Sequence, residues 1–315
     1  MHVSDHPYER APLAADCGPG WADVVAACRP HGALVLALLG HTGAQGSSGY
    51  GQIPLWAPSA VPDVATCEVP VAMEPADVDA LVAGFAAAAR VAVGAGVDGV
   101  EVDAGARPLL RQFASGLTNH RSDAYGADRL RLLHEVLAAV RAELGRGRVL
   151  ALRLCCDEEA PWAGIIPSLA VEHVQDLAPL VDLLVVVRGS GLTPSAYRPR
   201  RAHPAAFNAE LTRSMRAAAS GTPVVLQGSV VDVAAAQRAL DDGVADAVEM
   251  TRAQTADADP WARRGPASRC GPARCATRPA RCATCATRWS AASRIRPRGA
   301  LSPSCWPRPA GRSRW

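Results

Sequence analysis

The residues able to do chemistry in this chain are spread at intervals, and each follows a short apolar run. They are His41-Thr42-Gly43, Asp103-Ala104-Gly105, Arg153, Arg188-Gly189-Ser190, Gly228-Ser229 and Arg252. Arginine forks suit phosphate and carboxylate oxygens, and glycine lets a ligand approach backbone N–H groups. Four of these have an ordinary alternative: an ion pair of Arg153 with Glu101 or Asp103, a tight turn at Gly228-Ser229, a solvated surface position for Arg252, and a loop-stabilising hydrogen bond for His41. A second group is thiol-based. Cys270, Cys275, Cys282 and Cys285 are spaced C-x4-C-x6-C-x2-C, and thiolates bind zinc or iron–sulfur clusters. A single CxxC, with no His or further Cys at finger spacing, does not complete a zinc module.

The elements that would position the first group are six apolar runs: "ALVLALLGH" (33–41), "DGVEVDAG" (98–105), "RVLALRLCC" (148–156), "DLLVVVRGS" (182–190), "TPVVLQGS" (222–229) and "ADAVEMTRA" (245–253). Between them lie stretches with apolar residues three and four apart, such as 76–96 and 127–145, the spacing of amphipathic helices. Strands alternating with helices predict an α/β fold with a parallel sheet, open or closed into a barrel. Ligands bind barrels at the C-terminal ends of the strands, where the first group of residues falls.

Charge divides the chain. All 33 basic residues are Arg, and 13 of them lie in 261–315, where Asp and Glu are absent. Residues 1–260 therefore carry 20 − 30 = −10, which removes the electrostatic reason to expect nucleic acid as a partner. No apolar run reaches the ~18 residues of a membrane span, and the start "MHVSDHPYERAPLAAD" lacks a basic segment followed by an apolar one. Cys17, Cys28, Cys67, Cys155 and Cys156 lack the dense spacing of a disulfide scaffold. The expectation is a cytoplasmic protein with a small-molecule substrate, no membrane and no nucleic acid. Beyond Asp259 the apolar period disappears, so the expected organisation is a folded body over 1–260 and a disordered Arg/Ala/Pro/Cys-rich tail over 261–315.

The segment "GVDGVEVDAGARPLLRQFASGLTNHRSDAYG" (96–126) resembles the strand-four region of the old yellow enzyme and dienoyl-CoA reductase family of NADH:flavin oxidoreductases. Within that family it is most similar to the branch associated with mycofactocin gene clusters. Three further matches follow the family's order: "LLGHTGAQGSSGYG" (38–51), "LALRL" (150–154) and "VVLQGSVVDVAAAQRALDDGVADAVEMTRAQTADADP" (224–260). Together they cover roughly 8–260.

The resemblance implies a (β/α)8 TIM barrel holding FMN at the C-terminal ends of its strands, and passing hydride from NAD(P)H through FMN to an unsaturated or carbonyl substrate. It implies Arg153 beside the flavin N1/C2 carbonyl edge, Gly228 and Ser229 offering backbone N–H groups to the phosphate, and Arg252 pairing with that phosphate. Departures matter too. Asp103, Ala106 and Pro108 stand where the family carries its polar pair or tyrosine, and Leu38 stands where it carries a flavin-contacting Gln, so the catalytic proton donor is unassigned. Relatives carry two strands before the part matching "PYERAPLAADCGPGW" (7–21), which implies a barrel of about six strands with exposed edges at strands three and eight. A different reading of the same residues is an inactive remnant that binds flavin weakly or not at all.

In longer relatives the barrel is followed by C-x2-C-x3-C-x11-C, which holds a [4Fe–4S] cluster, and by an FAD-type dinucleotide-binding region; neither cofactor is expected in this chain. Translated one nucleotide earlier, the codons overlapping Ala273, Ala276, Ala280 and Ala292 can encode Cys at that spacing. This points to a frameshift between Asp259 and Gly265 and makes the visible tail cysteines accidental. Sequencing the gene is expected to show those four cysteine codons in the earlier frame, followed by an open frame extending beyond Trp315. Another residue at two of the four codons would defeat this reading.

Overall fold

The computed structural model describes residues 12–49, 51–64, 66–193, 196 and 206–256, the last segment without the side chain of Arg252. The 261–315 tail and its cysteines lie outside the described residues.

All six apolar runs form strands: β1 (Leu36–Leu39), β4 (Gly99–Ala104), β5 (Val149–Asp157), β6 (Leu183–Arg188), β7 (Val224–Leu226) and β8 (Ala247–Val248). They make one parallel sheet in the order β1-β4-β5-β6-β7-β8. Among the described residues β1 and β8 are its edges, as expected for a six-stranded portion of a barrel. Near-continuous apolar runs form these strands because both sheet faces are covered. One face carries Val100, Val102, Leu150, Leu152, Leu154, Leu184 and Val186, all buried under the helices. Ala151, Leu183, Val185, Val187, Val225 and Ala247 form a separate apolar cluster on the opposite face. Gly99 permits the close β4–β5 approach, since a Cβ there would lie 2.2 Å from the Val149 carbonyl oxygen.

The helices follow the apolar period. Helix α2 (Pro75–Gly94) begins at a capping box between Glu74 and Asp77 and buries Val78, Leu81, Phe85, Ala88, Ala89 and Ala92. It packs on α5 (Arg131–Leu144), which buries Leu132, Leu133, Val136, Leu137, Val140 and Leu144 and stops at Gly145, φ 67°. The other helices are α1 (Gly18–Cys28), α3 (Leu109–Ala114), α4 (Ala124–Ala127), α6 (Pro167–Leu177), α7 (Ala209–Ala218), α8 (Val233–Asp241) and α9 (Thr251–Ala256).

A feature not anticipated from the apolar pattern is the two-residue parallel pair β2 (Trp56–Ala57) and β3 (Val71–Ala72). The Arg121 guanidinium pins it, donating to the Pro58 and Met73 carbonyls at 3.1 and 2.6 Å.

Candidate active site

Because side chains alternate along a strand, Glu101 and Asp103 share one face of β4, and Arg153 stands in register with Asp103 on β5. Glu249, just past β8, follows the inward-facing Ala247 by two positions. Arg153 is only 5% exposed. Its Nε donates to Glu101 Oε1 at 2.5 Å and its Nη2 to Glu249 Oε2 at 2.7 Å. Burial alone would lower the Arg153 pKa, but the carboxylates of Glu101, Glu249 and Asp103 overcome this and hold it above its ordinary value. Asp103 Oδ1 accepts the Gly105 N–H at 3.0 Å. A Cβ at Gly105 would lie 3.2 Å from Arg153 Cδ, so glycine there leaves room for the arginine stem.

The ion pair between Arg153 and Glu101 is thus formed, and Glu249 joins it as a second partner. Nothing in the local sequence marks that second partnership, because 96 positions separate the two residues; the inward parity of position 249 was the available signal. Arg153 Nη1 has no partner among the described residues.

Gly228 and Ser229 form the turn leaving β7, with φ 146° and 55°. A left-handed Ser is strained, a feature that concentrates at functional sites. Gly228 is held close, since a Cβ would meet Asn208 Nδ2 and Phe207 Cε1 at 3.0 Å each. Buried Asn208 donates to the Gln227 carbonyl at 2.7 Å, fixing the strand end. Among the described residues the backbone N–H groups of Gly228 and Val230, on either side of Ser229, have no hydrogen-bond partner. The N-terminus of α8 is already capped, with Asp232 Oδ1 accepting the Ala235 N–H at 2.7 Å. Loop amides, rather than the capped Ala235 N–H, are therefore the donors left open to an anion among the described residues. Arg252 lies on α9, and its side chain is outside the described residues.

His41 stabilises its loop. It is buried, accepts the Gly43 N–H on Nδ1 at 3.0 Å and stacks on Trp56 at 5.7 Å. Gln112, which sequence reasoning did not single out, ties the loops after β1 and β4 together. Its Oε1 accepts the Ala44 N–H, and its Nε2 donates to the Thr42 and Arg107 carbonyls. A third organiser is Glu158, in the loop after β5, which accepts from Arg111, Ser115 and the Ile165 N–H. Burial pushes the Cys156 thiol up to about 12 and the Cys155 thiol well above its ordinary range, so neither is a thiolate near neutral pH.

A flavin mononucleotide brings a phosphate anion and a ring whose reduced form is anionic. The two unpartnered loop amides and the remaining Arg153 nitrogen fit these charges. Among the described residues no three His, Cys, Asp or Glu side chains gather to hold a metal ion, and no helix is long and apolar enough to cross a membrane.

Residues 15–265 match the family described as NADH:flavin oxidoreductase / NADH oxidase. A probable N-methylproline demethylase of Rhizobium meliloti is 32% identical over 250 residues, covering 76% of this chain and 36% of that protein. A metal reductase of Desulforamulus reducens is 32% identical over 242 residues, again covering 76% and 36%. The chain thus spans about a third of the length of these curated relatives. Among solved structures, an old yellow enzyme homologue from Zymomonas mobilis superimposes with a TM-score of 0.63 at 28% identity, covering 78% of this chain and 72% of that one. The matched residues contain every strand of the six-stranded sheet and the Arg153 and Gly228-Ser229 positions. The chain belongs to the NADH:flavin oxidoreductase / NADH oxidase family.

Proposed function

We propose that residues 1–260 form the FMN-binding barrel portion of an NAD(P)H-dependent flavin oxidoreductase acting on an unsaturated or carbonyl small molecule. The observation that carries this reading is Arg153, which lies at the middle of β5 (Val149–Asp157) rather than past its end as the sequence suggests, buried and with Nη1 unpartnered among the described residues. FMN, when bound, supplies the hydride-transfer chemistry between nicotinamide and substrate. The chain's own residues bind and orient. Arg153 would hold the carbonyl edge of the ring and offset the charge of its reduced form. The amides flanking Ser229, with Gly228 leaving room for close approach, would take the phosphate, and Arg252 would join them. Asp103, at the family's polar position, accepts the Gly105 amide, and no side chain is assigned as proton donor.

One observation favours a second reading, a remnant with weak or no flavin binding: two of the three Arg153 nitrogens are already paired with carboxylates. Titrating FMN into the purified chain and following quenching of flavin fluorescence separates the two. Wild-type protein is expected to bind saturably. Arg153→Lys, which keeps a cation between the glutamates but loses the planar fork, is expected to bind about tenfold more weakly. Equal affinity in Arg153→Lys would remove Arg153 from the site. No saturable binding by the wild type would establish the remnant reading.

A further inference from the structure

Glu249 does more than neutralise a buried arginine. Its Oε2 accepts from Arg153 Nη2 at 2.7 Å, while its Oε1 accepts from Thr251 Oγ1 at 2.9 Å. Thr251 opens α9 and is the neighbour of Arg252. On its other side Arg153 donates through Nε to Glu101 Oε1 at 2.5 Å. The chain of contacts Thr251–Glu249–Arg153–Glu101 therefore runs from the exit of β8 to β4. Strands β8 and β5 are separated in the sheet by β6 and β7, so the Glu249 contact reaches beyond neighbouring strands. The side chains of Arg153 and Glu249 are 6% and 13% exposed, which places the pair out of bulk water.

Two effects follow from this arrangement. Fixing Nε and Nη2 leaves Nη1 as the donor for a ligand, with its direction set by the two glutamates. The carboxylates of Glu101, Glu249 and Asp103 also all act on the Arg153 guanidinium. A ligand at Nη1 then meets a much smaller positive potential than an unpaired arginine would give.

Building on the FMN reading above, we propose that Glu249 is a positioning residue that aims Arg153 and lowers the reduction potential of the bound flavin. The physical reason is that its fixed negative charge disfavours the anionic reduced ring relative to the neutral oxidised one. It touches Arg153 rather than the reacting atoms. The role needs no additional reactant, since it changes only the relative stability of two states of one ligand.

The test uses the full chain reconstituted with FMN and compares wild type, Glu249→Gln, Glu249→Asp and Glu101→Gln. Equilibration with redox dyes gives the two-electron midpoint potential, and fluorescence titration gives FMN affinity. Glu249→Gln keeps an oxygen for Nη2 and removes the charge. It should favour reduced over oxidised flavin by about tenfold, an upward shift of about 30 mV for a two-electron couple. Glu249→Asp, which keeps the charge, should stay near the wild-type potential. Glu101→Gln removes the other carboxylate and should shift the potential in the same direction, so it serves if Glu249→Gln does not fold. Normal FMN binding with no upward shift in the foldable Gln variants would overturn the inference while leaving the FMN reading intact. Failure of the wild type to take up FMN would overturn both, and the binding curve tells the two results apart.

Discussion

Arg153→Met is expected to destabilise the protein by about 3–5 kcal/mol at neutral pH, the usual cost of breaking a buried ion pair by removing one partner. The Glu101, Glu249 and Arg153 side chains are 16%, 13% and 6% exposed, so water screens poorly the carboxylates that lose this guanidinium. The pH dependence identifies the cause. Arg153 has a raised pKa in the fold, so the stability it contributes is present at all ordinary pH values and is lost only far into the alkaline range. In the variant the titrating groups are instead the two glutamates. Their protonation relieves the repulsion, so the deficit relative to wild type should shrink as pH falls. Urea unfolding at neutral and mildly acidic pH measures this, and Arg153→Met combined with Glu101→Gln and Glu249→Gln should recover most of the loss. A deficit independent of pH, or no deficit, would show that the three side chains are not coupled. Judged from sequence, Arg153 sits just past a strand; the structure instead sets it at the middle of β5, buried between two carboxylates, and this is why its removal is costly.

The contrast shows which parts of this molecule local sequence encodes. Buried parallel strands need apolar side chains on both faces, so "LALRL" and "DLLVVV" announce β5 and β6 without alternation. Helices α2 and α5 are equally plain, because their buried residues recur three and four apart. Gly228-Ser229 is legible as a candidate because it directly follows such a run, and Arg153 because it is a charge set within one, "LALRL". Partnerships are not legible in this way. Strands β2 and β3 have two residues each, too few to show a period, and they exist because neighbouring loops hold them. The roles of Glu249 and Gln112 depend on contacts to residues far away in sequence. Arg111 misleads in a different way. It lies within "LLRQFA", where a charged residue suggests an exposed helix face, yet all six residues of α3 are buried.

Arg111 is buried because Glu158 receives it, and this sets up the second large effect. Glu158 is fully buried, with Oε1 2.6 Å from Arg111 Nη1 and Oε2 accepting from Ser115 Oγ at 2.5 Å and the Ile165 N–H at 2.8 Å. One carboxylate thus joins α3 to both ends of the loop after β5, and its backbone N–H also donates to the Ile165 carbonyl at 2.7 Å. Glu158→Ala would leave the guanidinium of Arg111, itself 2% exposed, without its carboxylate. A loss of about 3–5 kcal/mol is expected in urea unfolding. Replacing both partners, as Arg111→Met with Glu158→Leu, should cost less than Glu158→Ala alone, because no charge is then stranded. A local readout distinguishes release of the loop from general weakening of the fold. Trp162 stands 75% exposed within that loop, so chymotrypsin reports its opening directly. Cleavage after Trp162, mapped by mass, should accelerate in Glu158→Ala under conditions where the protein remains folded. If Glu158→Ala loses stability while cleavage at Trp162 stays at the wild-type rate, the Glu158 carboxylate does not hold the loop, and the three hydrogen bonds it accepts are worth only their contribution to the core.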